Sequence, residues 1–184
     1  MRDGGTASDE EGQAGVPGYD RVDATVFRDT LARVPTPVTV VTSHVDRKPH
    51  GTTVSAFSSL SLDPPMILVS LDQSSDLLKI IQEAGHFGVN VLAAGQQALA
   101  TNFARKGADR FGPQTRWEPG PGGLPLLADA TTHLICARHT LVTVGDHELV
   151  VGQVIRAIIG TSAPPLLHHQ GRFTRPETRS PDGL

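Results

Sequence analysis

Val26, Phe27, Leu31 and Val34 recur at helical spacing behind Asp23, which predicts a short amphipathic helix with Asp23 as N-cap, stopped by Pro35 and Pro37. The period then changes. Val38-Thr39-Val40-Val41-Thr42 is a β-branched run and reads as a strand, and Asp46-Arg47-Lys48-Pro49 reads as a connecting loop. Thr52 to Leu62 continues in small, hydroxyl-bearing, β-tolerant residues until Asp63-Pro64-Pro65, where proline cannot donate to a ladder and must break it. Met66 to Leu71 is almost wholly apolar, the pattern of a strand buried on both faces.

Ser75 precedes Leu77, Leu78, Ile80 and Ile81, a helical face that Gly85 closes as a C-terminal cap. Phe87 to Leu92 reads as another strand, and Leu99 with Phe103 marks the apolar face of a further helix. Residues 107–125 form a long loop punctuated by glycine and proline, and the rest is strand, roughly His133–Val144, Glu148–Ile159 and Leu166–Phe173. There is no internal repeat. Six or seven strands with few helices between them lack the regular alternation of a doubly wound sheet. The pattern therefore predicts a mainly β (α+β) protein, a closed or partly closed antiparallel barrel with short peripheral helices. One domain is expected over 23–175, with residues 1–22 and 176–184 as disordered tails too polar to offset the entropy of ordering.

Composition removes several function classes. The net charge is -3 and the basic residues are scattered, which gives no footprint for nucleic acid. The leader lacks the apolar run of a secretory signal and no apolar stretch is long enough to cross a bilayer, so a cytoplasmic location without a membrane partner is expected. The single cysteine, Cys136, lies among Leu134, Ile135 and Ala137 and reads as an inert buried thiol.

Motifs narrow the field further. Neither a Gly-x-Gly-x-x-Gly fingerprint nor a phosphate loop ending in Gly-Lys-Ser/Thr is present, and Gly120-Pro121-Gly122-Gly123 reads as a turn. Of the eight histidines, His168 and His169 are adjacent and point to opposite faces of a strand, while His133 and His139 stand six residues apart. No metal is expected. With no Gly-x-Ser-x-Gly elbow either, what remains is chemistry carried by an organic cofactor.

Thr52, Thr53, Ser55, Ser58, Ser59 and Ser61 concentrate hydroxyls along extended backbone, where small side chains would let a flat ring approach the peptide groups. The same composition also suits a solvated sheet edge. Asp72-Gln73-Ser74-Ser75 opens a helix whose first N–H groups would suit an anion; the alternative reading makes Ser75 an ordinary N-cap.

The run from Gly51 to Pro65, with Thr53-Val54-Ser55-Ala56 and Ser58-Ser59 inside it, resembles the signature segment of the flavin reductase-like family, whose fold is the FMN-binding split barrel. The resemblance continues in order through Ser74-Ser75, Phe87 to Leu92, Gln96, Phe103, Asp109-Arg110-Phe111, Gly123 to Leu127, Gly145-Asp146-His147, Gly152-Gln153-Val154 and Pro165-Leu166. It implies an NAD(P)H:flavin oxidoreductase: NADH or NADPH as hydride donor, FMN or FAD as acceptor, and a separate flavin-dependent monooxygenase component that receives the reduced flavin. It also implies a homodimer. By the same resemblance Thr53, Val54, Ser55 and Ala56 would contact the isoalloxazine, and Ser58 and Ser59 would lie beside the ribityl chain. Asp72, Ser74 and Ser75 would lie near the ribityl and phosphate groups, and Asn90, Gln96 and Phe103 also at the site. His147 would meet the nicotinamide nucleotide. One departure is Pro37, which stands where the family commonly has glycine.

Two other readings share the fold. A pyridoxamine-phosphate-oxidase-like oxidase would keep its flavin, but its stronger basic phosphate clamp is not evident beside Ser74 and Ser75. A non-catalytic split barrel that binds flavin or haem would have no use for the nicotinamide contact at His147.

Overall fold

The computed structural model describes residues 20–177; of the two expected tails, residues 1–19 and 178–184 lie outside them. Helix α1 (Ala24–Leu31) starts where expected, because the Asp23 carboxylate accepts the N–H groups of Thr25 at 2.8 Å and Val26 at 3.3 Å. These bonds hold the Asp23 carboxyl below the usual carboxylate range. Its apolar stripe meets no core, however. Val26, Phe27 and Leu31 are each at least half exposed.

The strands are β1 (Thr36–Pro37), β2 (Thr39–Val45), β3 (Lys48–Val54), β4 (Phe57–Leu62), β5 (Pro65–Asp72), β6 (His86–Val91), β7 (Trp117–Pro119), β8 (Pro125–Leu127), β9 (Thr132–Val144), β10 (His147–Ile159), β11 (Leu167–His169) and β12 (Arg172–Thr174). Helix α2 (Asp76–Ala84) separates β5 from β6, and α3 (Gln97–Ala104) follows β6. The main sheet has seven strands in the order β3-β2-β6-β9-β10-β5-β4, with antiparallel pairing throughout.

That order forces closure. Laid flat, the sheet would hold its end strands about 29 Å apart, at roughly 4.8 Å per step. Between β3 and β4 the chain has only Ser55 and Ala56, enough to reach about 11 Å. The sheet therefore rolls up, and it closes with no ladder between β3 and β4. The result is an antiparallel split barrel in a mixed α+β fold with short peripheral helices.

Five local expectations need correction. Asp46 and Arg47 both take left-handed φ, 51° and 62°, and make a two-residue hairpin turn, so Lys48 and Pro49 belong to β3 rather than to a loop. The hydroxyl-rich stretch is two strands broken at Ser55-Ala56. In β5 burial alternates: Ile67, Val69 and Leu71 are in the core while Met66, Leu68 and Ser70 are half-buried, because only one face of a barrel strand looks inward. The long loop contains the β7–β8 pair, fastened by edge-to-face contacts of Phe103 with Phe111 at 5.1 Å and of Phe111 with Trp117 at 5.6 Å. The last expected strand is the β11–β12 hairpin, which joins β1 in a separate three-stranded sheet.

The barrel interior holds Val41, Val69, Phe87, Val89, Cys136 and Val150, plugged by Leu77, Leu78 and Ile81 of α2. Burial pushes the Cys136 thiol up to about 12, which makes it inert as a nucleophile. A second cluster of Val38, Val40, Leu92, Phe103, Leu127 and Leu166 seats α3 against the barrel wall. Between them lies Asn90, fully buried: its Nδ2 donates to Val40 O and Thr42 Oγ1, and its Oδ1 accepts Leu127 N and His133 Nδ1, both at 2.9 Å. Every Asn90 bond thus ties one strand to another.

Two predictions follow from this packing. A Cβ at Gly152 would lie 2.5 Å from Phe87 Cζ, whereas one at Gly95 would meet nothing within 4 Å. Gly152→Ala should therefore cost about 1–3 kcal/mol in denaturant unfolding, with Gly95→Ala near neutral. Equal effects would refute the close approach. Burial also holds the His133 imidazole below its ordinary pKa. As pH falls the unfolded chain takes up that proton first, so this part of the stability is complete above about pH 6.5 and declines below it. Melting midpoints should fall from about pH 7 to about pH 5, and less steeply in His133→Gln; parallel curves would exclude His133 as the cause.

Candidate functional site

A cavity of about 600 Å³ opens at the barrel seam. Its walls come from the end of β3 and the Ser55-Ala56 link, the end of β5 with Ser74 and Ser75, the first turn of α2, the segment after α3, and His147. Thr53, Val54, Ser55, Ala56, Asp72, Ser74, Ser75 and His147, which the sequence singles out, all line this one space.

The threonine hydroxyls are occupied. Thr53 Oγ1 donates to Ala100 O at 2.7 Å, so it holds α3 to β3 and leaves backbone and methyl at the cavity wall. Asp72 Oδ1 accepts both the N–H and the hydroxyl of Ser74, at 2.7 and 2.6 Å. With the Ser74 bonds first and the charges of His147 and Lys106 behind them, these keep the Asp72 carboxyl below its ordinary range. Ser75 stands at the N-cap of α2 without a side-chain cap bond, so its hydroxyl and the first N–H groups of the helix remain available to an anion.

His147 pairs with Asp72 across the β10–β5 ladder and sits at the cavity rim. Its Nδ1 lies 2.7 Å from Asp146 Oδ1. The carboxylate can only accept, so Nδ1 carries the proton and Nε2 is free to meet a ligand. That bond also lowers the Asp146 carboxyl below its usual value.

Two cations complete the lining: Lys106, which the sequence reading does not single out, and Arg110, which it quotes within Asp109-Arg110-Phe111 without a role. Arg110 Nη1 donates to Gly51 O at 2.7 Å and Nη2 to Arg105 O at 3.0 Å, while its buried Nε has no partner. The basic pair Arg105-Lys106 beside Gly107, immediately after the helix marked by Phe103, was the available signal. Lys106 and Arg110 thus bring basic groups to the cavity that Ser74 and Ser75 line, beside which the sequence showed no strong phosphate clamp.

Five expected contacts lie outside the lining of this chain's cavity. Ser58 and Ser59 are exposed on β4, with Ser58 Oγ donating to Ser59 O. Asn90 is the interior knot already described, and its polar atoms are all engaged there. Phe103 is fully buried behind Gly51, where a Cβ would come within 2.9 Å of its ring. Gln96 bonds Ala93 N and Ala128 O and borders a separate cavity of about 320 Å³. Pro37, the departure from the family pattern, pairs with Leu167 in β1 and is likewise not at the cavity.

The donor set fits a phosphorylated flavin. An uncapped helix start, the Ser74 and Ser75 segment and Lys106 suit the phosphate; the small residues 53–56 leave room for a flat ring.

Comparison with known proteins agrees with this geometry. The model of the flavin reductase like domain matches residues 31–177. The chain is 38% identical over 158 residues to a flavin reductase (NADH) of Kitasatospora aureofaciens, covering 84% of this chain and 82% of that one. It is 37% identical over 152 residues to the reductase component of a 4-nitrophenol 4-monooxygenase/4-nitrocatechol 2-monooxygenase of Rhodococcus opacus, covering 83% and 80%. Among solved structures, the NADH:FAD oxidoreductase SgcE6 of Streptomyces globisporus C-1027, in complex with NAD and FAD fragments, superposes with a TM-score of 0.80 at 35% identity, covering 90% of this chain and 100% of that one. With its fold, its cavity and a match that runs from Leu31 to Glu177, the chain belongs to the flavin reductase-like family.

Proposed function

We propose that this protein is an NAD(P)H:flavin oxidoreductase that takes hydride from NADH or NADPH, passes it to FMN or FAD and supplies the reduced flavin to a separate monooxygenase component. One observation carries the reading: a single cavity joins a small-residue wall, an anion-binding end and a histidine with a fixed proton. Two relatives named above support it, one a flavin reductase (NADH) and the other the reductase component of a 4-nitrophenol 4-monooxygenase/4-nitrocatechol 2-monooxygenase.

When bound, the flavin supplies N5 as hydride acceptor opposite C4 of the nicotinamide. The protein's part is to position. Val54, Ser55 and Ala56 give extended backbone for a ring to lie against, and the half-buried Thr53 is locked by its bond to Ala100. Ser74, Ser75, the first N–H groups of α2 and Lys106 hold the phosphate end, and Asp72 offers an acceptor to a sugar hydroxyl. His147, oriented by Asp146, directs the nicotinamide nucleotide from the rim. Catalysis by these residues would consist in positioning the two rings for direct hydride transfer, which requires no side-chain nucleophile.

The proposal includes a homodimer. A second copy would cover apolar side chains that one chain leaves exposed, among them Phe27 and Leu31 on α1, Leu62 on β4 and Ile159 on β10. The flavin-retaining oxidase regains ground from Lys106 and Arg110, and the first test below separates it from the reductase.

Purified protein given FMN or FAD with NADH or NADPH under nitrogen should bleach the oxidised flavin band over many turnovers. No turnover in any of the four combinations would end the reading, and reduction of a single tightly held equivalent would favour the oxidase. In a second test Lys106→Ala should raise the flavin Kd about tenfold, with His147→Ala raising the nicotinamide KM by a similar factor. Each should leave the other constant within about twofold. If both variants weaken both ligands alike, the division of the cavity into two ends is wrong.

A further inference from the structure

His147 is the first residue of β10 and follows directly on the Gly145-Asp146 turn, where Gly145 takes a left-handed φ of 61°. The β10–β5 ladder ends at the His147–Asp72 pair. Beyond it the turn is stitched to the segment before α2 by one residue, Gln73, whose N–H donates to Asp146 O at 3.2 Å and whose Nε2 donates to Gly145 O at 3.1 Å. Gln73 is exposed and does not line the cavity. Its neighbours on both sides do: Asp72 and Ser74 belong to the flavin end, and His147 to the nicotinamide end.

We propose that Gln73 is a positioning residue that fixes the Gly145-Asp146 turn against the Asp72–Ser75 segment, and so sets affinity for the nicotinamide nucleotide through His147 without touching it. The inference rests on the NAD(P)H:flavin reading above. His147 Nδ1 is held by Asp146, so wherever the turn moves, the ring and its free Nε2 move with it. The turn is closed by the His147–Val144 pair of the β10–β9 ladder, and on the side of the Asp72–Ser75 segment the Gln73 carboxamide adds a second point to the main-chain bond, on the adjacent carbonyl. The flavin end has its own anchors in the Asp72–Ser74 bonds, which do not depend on the Gln73 side chain.

Three substitutions separate this role from a general structural one. Gln73→Ala removes the donor; Gln73→Glu keeps nearly the same shape but sets a carboxylate against the Gly145 carbonyl; Gln73→Lys restores a donor of similar reach. In steady-state kinetics with NADH varied at saturating FMN, Gln73→Ala and Gln73→Glu should raise the KM for NADH about threefold to tenfold, the weight of one hydrogen bond. Their kcat and flavin Kd should stay within about twofold of the unsubstituted protein, and Gln73→Lys should recover the lower KM. An unchanged KM in both Gln73→Ala and Gln73→Glu would overturn the proposal, as would a flavin Kd that rises in step with KM. An unsubstituted protein without turnover overturns the reading beneath it as well; one that turns over while all three variants match it overturns the role of Gln73 alone.

Discussion

The chain has only Ser55 and Ala56 with which to pass from one end of a seven-stranded sheet to the other, and the remaining architecture follows from that shortage. A roll tight enough to bring β3 beside β4 leaves them side by side without a ladder, so the seam keeps backbone groups that a fully closed barrel would pair. Some are met locally: Phe57 N donates to Ser55 O, and Ser70 N to Ala56 O. Pro49 lies on the same free edge of β3, where the absence of an N–H costs no ladder bond. A heteroaromatic ring with donors and acceptors along its rim is a chemically suitable partner for such an edge. The cavity opens at this seam because the sheet is split there.

The first half of the hydroxyl-rich stretch was legible as a wall of the candidate site, and part of the reason differs from the one its composition suggests. Thr52 and Thr53 direct their hydroxyls to Phe103 O and Ala100 O, closing the last turn of α3 against β3. Small side chains matter there because α3 and the cavity crowd one strand from two directions. Gly51 shows the same crowding, since a Cβ there would collide with the Phe103 ring. Ser58 and Ser59 continue the pattern on β4, past the seam, where in this chain it is only a solvated edge.

Elements whose signal is local were readable: the Asp23 cap, the Gly85 cap in left-handed conformation, and the strands β6, β9 and β10. What escaped reading depends on contacts distant along the chain. An apolar run such as Met66 to Leu71 has one composition whether one face or both are buried, and only the barrel decides that Ile67, Val69 and Leu71 point inward. Asp46 tolerates left-handed φ but Arg47 stands where such a turn usually has glycine, so the residue signature of the turn is weak. Asn90 entered the expected site through the family resemblance, but three other strands, β2, β8 and β9, supply partners for its side-chain atoms. Lys106 and Arg110 sit far along the chain from Ser75, and nothing short of the fold brings them to it.

The two cations also bear on how firmly a flavin is held. A retaining site gains most from an arginine whose fork is free to grip phosphate with two parallel bonds. Arg110 has no such freedom, because Nη1 is committed to Gly51 O and Nη2 to Arg105 O, which leaves Nε alone. Lys106 is exposed, and water competes for a hydrated ammonium on a flexible stem. The ionised Asp72 adds a negative charge close to Lys106 and lessens its pull on an anion. The basic groups are thus sufficient to orient a phosphate and too encumbered to clamp it, which suits a protein whose product must leave.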